Sequence, residues 1–126
     1  MFKAISTEQA PAAIGPYSQA VDLGNLLLIS GQIPLDPKTM EFVSDEVGEQ
    51  AHQVMKNLGA ILEEAGLSYR NVAKANIYLA SMDDFSVVNE IYASYLSEPY
   101  PARAAVEVSK LPKGALVEIE AIAVKE

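Results

Sequence analysis

Residues 116–124, LVEIEAIAV, alternate between two sets of side chains, and both sets contain apolar residues. Successive side chains of a β-strand point to opposite faces of a sheet, so this period of two predicts a strand. One predicted face carries Val117, Ile119, Ala121 and Ala123, and the other carries Glu118, Glu120, Ile122 and Val124. A face that borders water is usually polar. The segment therefore predicts a sheet with one buried face and a second face that is only half polar.

Two other segments have the spacing of amphipathic helices. Apolar side chains recur every three or four positions in residues 45–65 and again in residues 83–96, which places them on one face of each helix. Ser44 or Asp45 is expected to cap the first helix, and a residue of the Asp83-Asp84 pair is expected to cap the second. Both helices therefore have an apolar face that must pack against something.

The remaining patterned segments favour strands, at residues 18–23, 26–30, 72–80 and 103–108. Residues 31–39 contain two prolines and predict a loop. The resulting order, β-β-α-β-α-β-β, predicts an α+β sandwich in a single domain that spans residues 1–126.

Two helices can cover only one face of such a sheet. The uncovered face still keeps apolar side chains, namely Val72, Tyr78, Ile122, Val124 and part of the run 26–29. Because a large exposed apolar patch usually marks an interface, we expect this face to be buried against another subunit.

The chain contains no cysteine and a single histidine, His52, and carries a formal net charge of −8. The lack of cysteine excludes disulfides, thiolate nucleophiles and iron–sulfur clusters, and one histidine makes a transition-metal site unexpected. The negative charge disfavours a phosphate backbone as ligand. No apolar run approaches the roughly 20 residues that span a bilayer, and MFKAISTEQA has no secretory core. We therefore expect a cytoplasmic protein that binds neither membrane nor nucleic acid and uses no metal or organic cofactor.

Arg103 stands in the otherwise apolar segment PARAAV at the start of a predicted strand. A guanidinium there is costly unless it meets an anion. One interpretation is an ion pair across a subunit interface with Glu107, Glu118 or Glu120. The other is a fork for a substrate carboxylate, which the planar guanidinium binds through two hydrogen bonds. The residues alone favour neither interpretation.

Four segments, which together cover nearly the whole chain, resemble those of a known protein family. They are, in order, PAAIGPYSQAVDLGNLLLISGQIPLDPKT, GEQAHQVMKNLGAILEEAG, DDFSVVNEIYASYL and PARAAVEVSKLPKGALVEIEAIAV. They resemble the Rid family (reactive intermediate deaminases, also called YjgF or L-PSP proteins), and most closely its RidA subgroup. The resemblance implies a chorismate-mutase-like α+β fold with two helices on one sheet face, assembled as a homotrimer with clefts between the subunits.

The resemblance also implies which residues form the site. Arg103 would bind a carboxylate, Glu118 would handle an attacking water, and Tyr17 would orient the ligand or relay a proton. The other expected ligand contacts come from Ser30, Gly31, Asn89 and Ala105. Many RidA proteins have a cysteine where this chain has alanine at position 105, so only the backbone carbonyl there is expected to contact water or substrate. The resemblance implies no metal ligand.

The reaction implied by the resemblance is hydrolysis of 2-enamine and 2-imine acids to 2-keto acids and ammonia, without a cofactor. Two alternatives stay open. A non-catalytic sensor of keto acids would use the same Arg103. A ribonuclease or translation inhibitor, an activity attributed to some members of the family, is disfavoured by the net charge of −8 and the single histidine.

Overall fold

The computed structural model describes residues 1–125. Its helices and strands are β1 (Lys3–Ile5), β2 (Ala20–Asp22), β3 (Leu26–Gln32), α1 (Val47–Glu64), β4 (Val72–Leu79), α2 (Phe85–Ser94), β5 (Ala102–Glu107) and β6 (Val117–Val124). The six strands of the described residues form one sheet in the order β1-β2-β3-β6-β4-β5. β4 and β5 are parallel, because α2 connects them, and the other neighbours are antiparallel. The predicted α+β class is confirmed, while the single domain over residues 1–126 stays a prediction.

The core lies between the two helices and one face of the sheet. Val117 and Ile119 of the central strand β6 are at most 1% exposed, as their alternation predicts. Val54 of α1 and Val88 of α2 are fully buried in the same apolar cluster. The helices therefore cover the face of β6 that was expected to be buried, and the face with Glu118 is left uncovered by them.

Most predicted strands differ from the observed ones by one or two residues at an end, and two differences concern the fold. β1, a strand of three residues that pairs with β2, lies in a segment for which no element was predicted, because three residues are too few to show alternation. β3 continues to Gln32, beyond the predicted end at residue 30, because a bulge between Ile29 and Gln32 accommodates extra residues against β6. Gly31 is therefore in a strand and not in the predicted loop.

The side chains predicted to cap the two helices do not do so, although Asp84 occupies the N-cap position of α2. Glu46 caps α1, and its side chain accepts a hydrogen bond of 2.9 Å from the backbone N–H of Glu49. Before α2, a short 3-10 turn (Met82–Asp84) is capped by Ser81, and Asp84 makes no side-chain cap hydrogen bond. Several polar residues precede each helix, and only the backbone geometry selects the one that caps.

Val72 does not lie on the uncovered face. The pairing of β4 with β6 shifts by one residue between Val72 and Lys74, and a one-residue shift moves a side chain to the other face. Val72 therefore packs against the core, and Ala73 is exposed. The predictions for Tyr78, Ile122 and Val124 hold, since they lie on the uncovered face.

Two further findings concern the described residues as a whole. None of the helices in residues 1–125 is both long enough and apolar enough to cross a bilayer. In the same residues, no three His, Asp or Glu side chains are grouped closely enough to hold a metal ion.

Candidate active site

Arg103 lies on the helix-covered side of the sheet. β5 pairs with β4 so that Arg103 is opposite Ala75, a core residue. The guanidinium Nη1 donates a hydrogen bond to Asn89 Oδ1 on α2. Its Cζ atom is 5.2 Å from the centroid of the Phe85 ring and 6.0 Å from that of Tyr92, distances typical of a cation over aromatic rings. The helix α2 therefore orients this arginine.

A cavity of about 480 Å³ opens beside the guanidinium, lined by Asn89, Tyr92, Ala93, Tyr100, Pro101 and Arg103. Within the described residues the one ion pair found joins Lys125 and Asp22, so Arg103 has no carboxylate partner there. Glu107, a predicted partner, accepts a hydrogen bond from the backbone N–H of Met82 instead. The exposed guanidinium is therefore available to an anion.

A second cavity, of about 650 Å³, borders the uncovered face of the sheet. Four predicted site residues line it: Tyr17, Ser30, Gly31 and Glu118. Other lining residues are Ile14, Ile33, Leu35, Met40 and Lys113. An apolar wall with a few polar groups is the usual composition of a small-molecule site.

Gly31 makes room for the Glu118 carboxylate. The bulge in β3 brings the Gly31 backbone against this side chain, and a Cβ atom at position 31 would lie 2.0 Å from Glu118 Oε2 and 2.9 Å from its Cδ. Both distances are far below van der Waals contact. Position 31 must therefore be glycine while Glu118 keeps this orientation.

The backbone of the N-terminal loop places Tyr17 and Ser30. The Ser30 hydroxyl donates to the carbonyl of Ser18 at 2.6 Å, which leaves its oxygen able to accept from a ligand. Tyr17 is 54% exposed, and its N–H donates to the carbonyl of Gly15 at 2.9 Å. Gly15 has a φ of +125°, which favours glycine. This turn brings the Tyr17 side chain to the cavity.

The carboxyl groups of Glu118 and Glu120 both lie on the uncovered face of β6. Burial raises the pKa of the Glu118 carboxyl, and the negative charge of Glu120 raises it further. Glu120 Oε2 accepts hydrogen bonds from Asn76 Nδ2 at 2.9 Å and from the Tyr78 hydroxyl at 3.1 Å. A carboxyl whose pKa is raised toward neutrality can both take up and return a proton.

The predicted site residues form two separate sets in one chain. Arg103 and Asn89 meet on the helix-covered side, and Ala105, two residues along β5, packs against the core on the same side. Glu118 is on the opposite face, because it pairs with Tyr78 while Arg103 pairs with Ala75, and an odd spacing along β4 separates the faces. A site that uses both sets therefore needs more than one chain.

Two buried amides that anchor the cavity walls were outside the predicted set. The Gln19 side chain donates to the carbonyls of Thr7 and Pro11 at 3.0 and 2.7 Å. Asn57, fully buried in α1, donates to the carbonyl of Leu35 at 3.1 Å. Asn57 interrupts the apolar stripe of α1, and a polar residue at a core position is the signal that could have identified it.

Comparison with known proteins places this architecture in a family. The family model described as Endoribonuclease L-PSP matches residues 7–125. The mouse protein 2-iminobutanoate/2-iminopropanoate deaminase is 54% identical over 123 residues, which are 98% of this chain and 91% of the mouse protein.

Solved structures agree with the sequence relatives. RidA from the Antarctic bacterium Psychrobacter sp. has a TM-score of 0.94 and 52% identity, and the match covers 98% of this chain and 99% of that one. E. coli TdcF, solved with bound serine, has a TM-score of 0.94, 43% identity and the same coverage. The residues that the family model matches, 7–125, include all residues that line the two cavities. The chain therefore belongs to the Rid family, whose sequence model is named endoribonuclease L-PSP.

Proposed function

We propose that this protein hydrolyses 2-enamine and 2-imine acids to 2-keto acids and ammonia. The observation that carries the proposal is the pair of cavities. One holds a guanidinium for which no carboxylate partner is found within residues 1–125, and the other holds a half-buried glutamate beside a glycine. They occur in a chain whose mouse relative is named a deaminase of 2-iminobutanoate and 2-iminopropanoate. A carboxylate clamp and one acid–base group can together catalyse such a hydrolysis by positioning and proton transfer.

Arg103 binds the substrate carboxylate through two parallel N–H···O hydrogen bonds. Asn89 accepts one guanidinium N–H, and the rings of Phe85 and Tyr92 cover part of the group. Both contacts restrict its rotation. The amide of Asn89 and the backbone carbonyl of Ala105 supply further polar contacts on this side of the site.

Glu118 handles the attacking water. Its carboxylate takes a proton from water as the water oxygen attacks C2 of the N-protonated imine, and C2 then carries a hydroxyl and an amino group. Glu118 returns the proton to the amino nitrogen, and the C2–N bond breaks with its electron pair on nitrogen. The hydroxyl oxygen then forms the C2=O double bond and its proton passes to the released ammonia, so the products are the 2-keto acid and an ammonium ion. Tyr17, Ser30 and the Gly31 backbone orient the ligand around this centre.

We further propose that the protein is a homotrimer and that neighbouring chains together form each site. The uncovered face exposes apolar side chains, with Leu28 at 36%, Val106 at 45% and Val124 at 39%. β5 is an edge strand and is also largely exposed, and exposed edges favour pairing with another chain. Such an assembly can bring the Arg103 side of one chain to the Glu118 side of the next.

A sensor of keto acids is the second candidate, because Arg103 would bind the ligand carboxylate in either case.

We place the protein in the cytoplasm, where dehydratases that use pyridoxal phosphate release 2-aminoacrylate and 2-aminocrotonate from serine and threonine. Ribonuclease activity is not expected, since a chain with a net charge of −8 repels the RNA backbone.

The test is release of ammonia and 2-keto acid from 2-iminopropanoate and 2-iminobutanoate generated by a dehydratase in the same solution. The wild type is expected to accelerate both. Glu118→Gln keeps the shape but removes the base, so turnover should fall by about 100-fold or more while keto-acid binding is retained. Binding of keto acid without any acceleration by the wild type would identify a sensor instead.

A further inference from the structure

Glu118 and Glu120 lie two residues apart on the same face of β6, yet their surroundings differ. Glu120 Oε2 accepts two hydrogen bonds, from the Asn76 amide and the Tyr78 hydroxyl. Within residues 1–125 no side chain is found to donate to the Glu118 carboxylate, which lies against Gly31. Within residues 1–125, two side-chain donors therefore hold the Glu120 carboxyl, and none holds that of Glu118.

The register of β4 against β6 explains this difference. Asn76 is directly opposite Glu120, and Tyr78 is directly opposite Glu118. The Tyr78 hydroxyl nevertheless reaches the diagonal neighbour Glu120, at 3.1 Å, a distance that long aromatic side chains can span across a strand pair. Asn76 and Tyr78 therefore both donate to Glu120, and Glu118 lines the cavity without a hydrogen bond from either of them.

The charged and titratable groups around Glu118 come from several elements. Glu120 on the same strand and Tyr78 on β4 face it, and the bulge of β3 at residues 30 and 31 contributes no charge. Tyr17 and Lys113 line the same cavity. Lys74 and Asn76 line a smaller cavity, of about 250 Å³, on the other side of Glu120. Glu120 is thus the negative charge nearest to Glu118 along the strand.

These contacts give the two carboxyls different surroundings. Two hydrogen bonds to a carboxyl oxygen stabilise its charged form. Burial raises the pKa of the Tyr78 phenol, and its hydrogen bond to Glu120 raises it further, so the phenol remains a donor. Burial and then the charge of Glu120 raise the pKa of Glu118. Surroundings that separate two neighbouring carboxyls in this way usually mark which of them exchanges protons.

We propose that Asn76 and Tyr78 are positioning residues of the reaction: they hold Glu120 as a fixed carboxylate, so that Glu118 is the member of the pair that takes up and returns the proton. The inference rests on the proposed function and deepens it. It adds three residues, Asn76, Tyr78 and Glu120, which act on the chemistry through Glu118 and touch no reacting atom.

The first test is a pH titration followed by NMR of protein labelled with ¹³C at the glutamate carboxyl carbons. Glu118→Gln and Glu120→Gln identify the two signals. As the pH falls in the wild type, the Glu118 signal is expected to move first. Tyr78→Phe keeps the ring and removes one donor to Glu120. The first proton to bind should then be shared between Glu118 and Glu120, and both signals should shift together.

Tyr95→Phe is the matched control, because it removes a hydroxyl that contacts His52 of α1 at 2.8 Å and not Glu120. It is expected to keep the wild-type order of titration. A Glu120 signal that moves with or before Glu118 in the wild type overturns the inference. An unchanged order in Tyr78→Phe overturns it as well.

The second test is the pH dependence of kcat/KM. The Glu118 carboxylate is the active form, and Glu120→Gln removes the negative charge that raises the pKa of Glu118. The acid limb of the pH profile should therefore move to lower pH. Damage to packing alone would lower the rate at every pH without moving the limb, and an unmoved limb contradicts the proposed role. If imine hydrolysis is absent altogether, the proposed function fails, whereas the NMR titration still decides this inference.

Discussion

The Arg103 guanidinium has five N–H donors, and the side-chain hydrogen bond found for it within residues 1–125 is the one to Asn89. The remaining donors can form the fork that a carboxylate needs. Arg103→Lys keeps the charge but not this geometry. Because each charge-assisted hydrogen bond contributes about 1.5–3 kcal/mol, we expect imine hydrolysis to fall by about 10- to 100-fold, close to the loss in Arg103→Ala. The measurement is kcat/KM for imine hydrolysis.

Arg70→Lys is the matched control, since Arg70 is also exposed and lies in the turn after α1. This variant should keep wild-type activity. If Arg103 serves only as an ion-pair partner across an interface, lysine should largely replace it and Arg103→Ala should loosen the assembly. An active Arg103→Lys variant therefore contradicts the carboxylate clamp.

At the level of single residues, the motifs identify Arg103 and Glu118 but do not show that the two lie on opposite faces of the sheet. Alternation within one strand can be read from the sequence, whereas the relation between strands depends on register. Here the register pairs Arg103 with Ala75, and it is set by the crossover through α2. The same holds for the contact of Tyr78 with Glu120, which joins residues 42 positions apart.

Among the elements, the start of α1 offers a direct test of capping. Glu46→Ala removes the side chain that accepts from the Glu49 N–H, so the free energy of unfolding should fall by about 1 kcal/mol. Asp45→Ala removes an exposed carboxylate that sequence reasoning favoured as the cap, and it should change stability by less than about 0.5 kcal/mol. Denaturant unfolding of both variants measures the difference. Equal losses, or a larger loss in Asp45→Ala, contradict the assigned cap.

Both helices and the long strands follow from their periodicity, because burying an apolar face requires that spacing over many residues. Features of only one to three residues cannot be predicted from periodicity. The bulge at Gly31 and the shift at Ala73 each depend on a single extra residue in a strand pair. β1 pairs over three residues, and such short pairing is decided by the neighbouring strand and not by its own side chains.

For the whole molecule, the separation of the two residue sets predicts complementation between chains. Arg103→Ala and Glu118→Gln are each expected to retain at most about a tenth of the wild-type activity alone. When the two are unfolded and refolded together, about a quarter of the sites should combine an intact half from each parent, if chains mix at random in a symmetric assembly. Imine hydrolysis by the mixture, with each variant refolded alone as control, is the measurement.

Recovery of imine hydrolysis to about a quarter of the wild-type level, together with a trimer in sedimentation equilibrium, is the result that the proposed assembly requires. No recovery would mean that one chain contains a complete site. A stable monomer at micromolar concentration would also be incompatible with burial of the uncovered face, and the apolar side chains there would then need another explanation.

The central position of β6 also affects how the chain can fold during its synthesis. β6 lies between β3 and β4, although all other described strands precede it in the sequence. Until the ribosome has made residues 117–124, the part of the sheet with β1, β2 and β3 has no strand to join it to β4 and β5. Segments of a nascent chain that expose unpaired strand edges are prone to aggregate. This sheet is therefore completed only after β6, the last of the described strands in the sequence, has been made.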